Sequence, residues 1–261
     1  MTRRGFIGVA ACAALPAQTP SQARGKEIVD RTIAALGGDG FRYMSGRTEV
    51  GRAYSFYRER ISGLDISHIY TKYYPADGTA LRMKQRQVFG KKQDSFVLLT
   101  ETAGWQVNYK GATPLAPERV KQFTDTTLHD IFYILRARID EPGMTFEWHG
   151  IDVVENSPVE TLEIYDSANR NVTVWIHQDT HLPVKQRFKR WDPVINEQRE
   201  EVTRYTKYRE AGNGVMWPHD TQRERDKEKI FELYSDKVTI GGNLPDSMFE
   251  LPPGVTVLTP K

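Results

Sequence analysis

The sequence predicts a mainly β protein with some α-helix (α+β), in which a long curved antiparallel sheet forms an unclosed half-barrel. Many short segments rich in Tyr, Phe, Val, Ile and Thr are separated by turn-forming residues. Two other segments place apolar residues at helical spacing instead. A sheet of about ten or more strands curls and must cover its apolar face. We therefore expect an N-terminal helix and a helical insertion to cover it.

The first 23 residues have the pattern of an export signal peptide. Arg3 and Arg4 precede an apolar stretch that ends at Pro16. That stretch is too short to span a bilayer, which needs roughly 20 apolar residues. The arginine pair before Gly5-Phe6-Ile7 also resembles the twin-arginine export motif, and the sequence leaves open whether that route or the general one is used.

Two further alternatives concern the end of this signal. Cleavage after Ala17 and after Ala23 are both compatible with the sequence, and Ser21-Gln22-Ala23 fits the small-x-small rule better. The only cysteine, Cys12, lies in a segment that resembles a lipobox, but its short leader favours a cysteine that is discarded with the signal. We expect a periplasmic protein without a lipid anchor, with residues 24–261 forming one domain.

The charge balance argues against nucleic acid as a partner. The chain has 36 Lys plus Arg and 34 Asp plus Glu, and residues 1–23 contain two arginines and no acid. The remaining chain therefore has 34 basic and 34 acidic residues. Neutral, interspersed charge provides no basic surface for a polyanion.

The first half of the mature chain predicts a helix followed by hairpins. In residues 24–36, Ile28, Val29, Ile33 and Leu36 recur at helical spacing, and two glycines end the run. From residue 44, turn signals separate strand-like segments, which are RAYSFYRERI, DISHIYTKYY, ALRMKQRQVFG, DSFVLLTET and GWQVNYKG.

The helical insertion is predicted over residues 114–141. Leu128, Ile131, Phe132 and Leu135 form an apolar stripe, and Pro142-Gly143 follows it. The pattern is compatible with one helix or with two, the second restarting at Thr124-Asp125.

Strand-like segments with short turns fill the rest of the chain. In NVTVWIHQ, alternate residues Val172, Val174 and Ile176 share one face. Several strands also place Arg, Lys and Glu at alternate positions, from which we expect one apolar face and one solvent face.

Three segments carry a resemblance to a known family. HQDTHLPVKQRF with the Trp191-Asp192-Pro193 that follows, GVMWPHDTQRER, and VTIGGNLPDSMFELPPGVTVL resemble segments of bacterial outer-membrane lipoprotein-sorting proteins, over roughly residues 160–257. The resemblance implies an unclosed antiparallel barrel whose helices cover an apolar, lipid-binding cavity. Because the insertion at 114–143 is larger than in a typical carrier, no specific ligand or partner is carried over.

Catalytic and metal-binding motifs are missing from the sequence. It has no GxSxG elbow, P-loop, GxGxxG or HExxH pattern. His177 and His181 are four residues apart but flank a predicted hairpin turn, so we interpret them as turn residues. We expect a binding protein rather than an enzyme, without metal or cofactor.

The predicted ligand contacts are apolar side chains from the insertion and from the sheet. An acyl chain gains about 0.8 kcal/mol per buried CH2, so its carrier needs an apolar concave face and a cover. The predicted contacts are Leu128, Ile131, Phe132, Leu135, Phe96, Leu98, Val172, Val174 and Ile176. The same residues could instead form a dry core.

Three functions remain open from the sequence. The first is a monomeric periplasmic protein that binds an acyl chain or lipidated ligand, in lipoprotein sorting to the outer membrane. The second is an envelope protein-interaction or sensing module on the same fold, and the third is a hydrolase whose site forms only in space.

Overall fold

One thirteen-stranded antiparallel sheet organises the chain. The computed structural model describes residues 18–75, 81–90, 92–192 and 195–259. The strands are β1 Gly46–Tyr57, β2 Arg60–Tyr73, β3 Met83–Phe89, β4 Ser95–Leu99, β5 Gly104–Asn108, β6 Gly111–Pro114, β7 Thr145–Val154, β8 Ser157–Tyr165, β9 Asn171–His177, β10 Pro183–Asp192, β11 Glu197–Glu210, β12 Met216–Arg225 and β13 Glu228–Ile240. The first and last strands of the sheet do not pair, so the half-barrel is open, and the predicted fold class is confirmed.

The helices are fewer than the strands. They are α1 Pro20–Leu36, α2 Asp39–Arg42, α3 Pro117–Leu128 and α4 Ile131–Tyr133, which continues as a π-helical turn over Ile134–Arg138, and a 3-10 helix at Asp246–Phe249. Of these, only α1 and α3 exceed one or two turns. Among the described helices, none is both long and apolar enough to cross a membrane.

The sheet consists of two meanders joined at its middle. Its order is β6-β5-β4-β3-β2-β1-β13-β12-β11-β10-β9-β8-β7, and β1 pairs antiparallel with β13 from Arg47 opposite Ile240 onward. Strands β6 and β7 are consecutive in the chain but lie at opposite edges. Their connection, residues 115–144, must therefore cross the sheet, which is why the helical insertion covers one of its faces.

Helix α1 begins four residues earlier than the sequence pattern predicts. Thr19 caps it, with its hydroxyl accepting from Gln22 N–H at 3.2 Å while the Gln22 side chain accepts from Thr19 N–H at 3.1 Å. The Ser21 hydroxyl also donates to the carbonyl of Trp148 on β7 at 2.8 Å. Residues 18–23, assigned to the signal in the sequence analysis, are thus part of this helix and its cap. Residues 1–17, with Cys12 and the arginine pair, lie outside the described residues.

The insertion is interrupted at His129-Asp130, so of the two alternatives it forms two helices, and the second begins after Thr124-Asp125, at Asp130. Asp130 has an extended backbone, and its carboxylate accepts from Tyr133 N–H at 3.0 Å. It is therefore the N-cap of α4. The Thr124-Asp125 segment instead continues inside α3.

The expectation that alternating charges mark a solvent face is also wrong for the central strands. Glu49, Glu201 and Glu232 are all buried. Arg47 pairs with Glu49, Arg190 and Arg225 with Glu201, and Lys229 with Glu232. Burial of these carboxylates is tolerable because each has a cationic partner at hydrogen-bonding distance.

Candidate ligand-binding site

A cavity of about 240 Å³ lies between the start of α4 and the middle of the sheet. We call it the central cavity. Its walls come from β1, β2, β3, β11, β12, β13 and the insertion, and they are formed by Arg47, Glu49, Tyr73, Met83, Gln85, Gln87, Phe123, Thr126, Thr127, Asp130, Phe132, Tyr133, Tyr205, Trp217, Pro218, Thr221, Arg223 and Leu233. This mixture of aromatic, charged and amide side chains differs from the purely apolar lining that the sequence analysis expects.

A hydrogen-bonded network fixes the β1 wall of the central cavity. Arg47 Nε lies 2.9 Å from Glu49 Oε1, and Arg47 Nη1 donates to the Tyr73 hydroxyl at 2.9 Å. Trp217 Nε1 donates to the same Glu49 oxygen at 2.7 Å, and its ring lies 4.1 Å below the Arg47 guanidinium. The four side chains hold one another in place, and this makes the wall rigid.

Asp130 places a carboxylate in the opposite wall. Burial raises its pKa, an effect that the Tyr133 N–H bond and the nearby charge of Arg47 oppose. Its oxygen is already used to cap α4.

Phe132 is one of three aromatic residues of the insertion, with Phe123 and Tyr133, that line the central cavity. Its ring packs edge-to-face on Tyr205, with centroids 5.0 Å apart, and tilted on Trp217 at 4.6 Å. These aromatic contacts connect the helical insertion, residues 115–144, which we call the cover, to β11 and β12.

A second space, of about 460 Å³, continues from the central cavity between α3 and strands β3–β5. We call it the arginine groove, and it is lined by Gln87, Phe89, Val97, Leu99, Gln106, Leu115, Arg119, Gln122, Phe123, Thr126 and Arg223. The two spaces share Gln87, Phe123, Thr126 and Arg223. Among the described residues, Arg119 and Arg223 are the charged ones that line the groove, and no carboxylate does. At this size the groove falls in the range of ligand pockets, roughly 300–1,000 Å³.

Gln122 of α3 attaches the helical insertion to an ion cluster of the sheet, at whose centre lies the buried carboxylate of Glu201 on β11. Glu201 is 2% exposed, and its Oε1 lies 3.1 Å from Arg190 Nη2 and 2.8 Å from Arg225 Nε. With its amide oxygen turned toward these arginines, Gln122 of α3 accepts from Arg225 at 3.0 Å and from Arg190 at 3.2 Å. The amide of Gln122 thus joins α3 to the ion cluster.

A second ion cluster attaches the far end of the insertion. Arg138 is buried and binds Asp166 at 2.7 Å, Glu141 at 2.7 Å and the Leu128 carbonyl at 2.6 Å. Burial alone would raise the pKa of Asp166, but the Arg138 hydrogen bond and the Arg170 N–H outweigh it and lower that pKa. Together with Glu201, this cluster indicates a fixed cover rather than a loose flap.

Seven of the nine predicted ligand contacts lie together in the main core, between the insertion and the sheet. They are Leu128, Ile131, Phe132, Leu135, Val172, Val174 and Ile176. Phe132 is the one among them that lines the central cavity, and none of the seven lines the arginine groove. The others pack against protein, so their contact with a ligand remains a prediction.

Phe96 and Leu98 lie on the other face of the sheet. They form a separate apolar cluster with Val107 and Phe249, under the C-terminal segment. Because side chains alternate along a strand, their neighbours Val97 and Leu99 face the arginine groove instead.

The sequence analysis missed the polar residues of both spaces. Arg47, Glu49 and Arg223 belong to the alternating charged pattern noted in the strands, so a signal was present but was assigned to the solvent face. His177 is the last residue of β9, and its Nδ1 accepts from Asp179 N–H of the following turn at 3.2 Å. Within the described parts of the chain, no three His, Cys, Asp or Glu side chains are placed to hold a metal ion.

Comparison with known proteins supports the architecture. No protein-family model matches the sequence, and no curated protein matches it. A domain assigned as an outer membrane lipoprotein-sorting protein from Vibrio parahaemolyticus is similar in structure, with a TM-score of 0.58 and 13% identity over 88% of this chain and 97% of that one. A DUF1329 family protein from Desulfovibrio piger gives a TM-score of 0.57 at 12% identity, over 87% of this chain and 97% of its own.

A LolA superfamily protein from Nitrosomonas europaea is also similar, with a TM-score of 0.50 and 13% identity over 87% of this chain and 97% of that chain. The chain thus has the fold of the outer-membrane lipoprotein-sorting proteins. The resemblance that the sequence analysis found over residues 160–257 is confirmed at the level of fold.

Proposed function

We propose that this protein is an exported periplasmic binding protein that holds an acyl chain or a lipidated ligand between its sheet and its helical insertion. The observation that carries the proposal is the arginine groove and its continuation into the central cavity. These spaces lie on the helix-covered face of a fold shared with lipoprotein-sorting proteins. The apolar walls of the groove, Phe89, Val97, Leu99, Leu115 and Phe123, suit a hydrocarbon chain.

The proposed role is ligand binding. More specifically, we propose that the bound ligand is handed on in the sorting of lipoproteins to the outer membrane. The polar network of Arg47, Glu49 and Trp217 is held by an ion pair and a hydrogen bond, a role that accounts for these residues without catalysis.

The test is native mass spectrometry, with organic extraction, of the protein purified from the periplasm of its own host. We expect a stoichiometric lipid or acylated peptide. Thr126 lines both spaces, so Thr126→Phe should fill their junction and abolish the bound mass. Thr124 lies on the same helix and lines neither space, so Thr124→Phe is the matched control. An empty wild-type protein that also fails to bind an added fatty acid would refute the proposal.

We also propose that the signal is cleaved after residue 17 rather than after Ala23. A cut after Ala23 would remove the Thr19 cap, the first turn of α1 and the Ser21 bond to Trp148. Loss of an N-cap alone costs about 1 kcal/mol. The intact mass of the periplasmic protein distinguishes the two cuts directly.

A second candidate is a protein-interaction module of the envelope. It is favoured by exposed apolar side chains near the tip of the β1–β2 hairpin, where Tyr57, Ile61 and Leu64 are 66%, 61% and 58% exposed. Replacing all three by Ser should leave fatty-acid binding unchanged and remove cross-links to any envelope partner. If the wild type forms no such cross-links in cells, this candidate fails.

A further inference from the structure

Arg223 differs from the other arginines that face the insertion. It is half-buried where the central cavity meets the arginine groove, yet it forms no ion pair or hydrogen bond within the described chain. Arg47 pairs with Glu49, while Arg190 and Arg225 pair with Glu201. The N–H donors of this half-buried guanidinium are therefore available to a bound anion.

The carboxylates near Arg223 are already engaged. Glu49 binds Arg47 and Trp217, and Asp130 caps α4. Arg119, the other charged residue of the groove, also lacks an ion pair in the described chain. The charge of Arg223 also acts on Asp130, so the central cavity is balanced, whereas Arg119 and Arg223 make the lining of the arginine groove positive.

A buried hydroxyl beside Arg223 is also unsatisfied. Tyr205 is 3% exposed and lines the central cavity, and its hydroxyl, although close to Thr203, forms no hydrogen bond within the described chain. Thr203 of β11 lies opposite Arg223 of β12, and Tyr205 is two residues further along β11. Such diagonal neighbours are roughly 7–8 Å apart, within reach of one small group placed between them.

We propose that the ligand is an amphiphile with an anionic head group, a carboxylate or a phosphate, that binds Arg223. This inference rests on the acyl-binding function proposed above and names its ligand class. The Arg223 guanidinium donates to the head-group oxygens, the Tyr205 hydroxyl donates to the same group, and the acyl chain extends along the apolar wall of the arginine groove. Charge-assisted bonds to a carboxylate or phosphate are the interactions that a guanidinium fork forms best.

The test compares two fluorescent probes that differ only in head-group charge, cis-parinaric acid and its methyl ester. We expect the wild-type protein to bind the acid about tenfold more tightly than the ester. Arg223→Gln should remove that preference by weakening acid binding and leaving ester binding unchanged, and Arg223→Lys should retain part of it. Arg209→Gln is the matched control, because Arg209 is an exposed arginine on the neighbouring strand and lines neither space.

The outcomes separate this inference from the proposed function. If wild type and Arg223→Gln bind both probes equally, acyl binding stands and the head-group assignment is overturned. If neither probe binds wild type, acyl binding itself fails. Thermal unfolding of each variant verifies that it is folded. Arg119→Gln tests the second, more exposed arginine of the groove, and it should reduce the preference for the acid over the ester.

Competition then identifies which anion binds. Palmitate and palmitoyl lysophosphatidylglycerol are titrated against bound parinaric acid, with hexadecanol as the uncharged competitor. Displacement by either anion at about tenfold lower concentration than hexadecanol supports the proposal, and the stronger competitor distinguishes a free fatty acid from a phospholipid head group. Equal displacement by all three would overturn it.

Discussion

Trp217 donates a hydrogen bond of 2.7 Å from its indole nitrogen to the buried carboxylate of Glu49. The bond joins β12 to β1 across β13, with Arg47 stacked on the same indole ring. One aromatic side chain thus reports on the polar network and on the wall of the central cavity at once.

We expect Trp217 fluorescence to report ligand binding. A ligand that enters the central cavity changes the polarity around this ring, so palmitate should shift or quench its emission. Trp217→Phe should abolish the change, whereas Trp191→Phe should preserve it because Trp191 is 55% exposed and lines neither space. A signal that survives in Trp217→Phe would place the ligand elsewhere.

Removal of the Glu201 carboxylate should destabilise the protein strongly. Glu201→Ala leaves Arg190 and Arg225 without their shared anion, and breaking a buried ion pair in this way costs about 3–5 kcal/mol. Urea unfolding measures the change. Glu197→Ala, at the exposed start of the same strand, should change the free energy of unfolding by less than about 0.5 kcal/mol. Equal effects of the two substitutions would contradict the role of Glu201.

Stability at low pH should depend on Asp166. Its folded-state pKa is lowered below the ordinary value of about 3.9, so its contribution is fully present above that pH and is lost as pH falls through the lowered pKa. Asp166→Asn should therefore be less stable at pH 7 and should lose less stability between about pH 4 and pH 2 than wild type. Thermal unfolding over this pH series, with the exposed Asp179→Asn as control, checks the slope. Parallel curves for wild type and Asp166→Asn would rule out this linkage.

The packing of α1 on β7 should not tolerate a methyl group at Gly25. A Cβ at this position would lie 2.2 Å from the carbonyl oxygen of Phe146, so the helix would have to move away from the strand. We expect Gly25→Ala to cost about 1–3 kcal/mol in chemical denaturation. Gly63→Ala, whose nearest contact would be an ordinary 3.7 Å, should be neutral within about 0.5 kcal/mol. A neutral Gly25→Ala would show that α1 is loosely docked.

Local periodicity predicted the elements well because it reflects short-range geometry. The stripe from Leu128 to Leu135 and the alternation from Val172 to Ile176 both lie in the main core. The pairing of β1 with β13 was not predictable in this way, since it joins residues nearly two hundred positions apart, such as Arg47 and Ile240.

The polar site could not be predicted because alternation does not say which face is covered. Phe96 and Leu98 show this directly, since a shift of one residue to Val97 and Leu99 reaches the arginine groove. Arg223 likewise belongs to a charge pattern typical of solvent-exposed strands. It faces inward only because the connection from β6 to β7 crosses that side of the sheet.

The pairing of β1 with β13 at the middle of the sheet also constrains how the chain folds. During synthesis β1 to β6 can form their meander early, but the free side of β1 has no partner until the residues of β13 emerge. Contacts of such high sequence separation form slowly, and an unpaired strand edge invites association with other chains. The pairing of β1 with β13 should therefore be the late, rate-limiting step of refolding. Before this step the edge of β1 is unpaired, and this is when the chain most needs a chaperone.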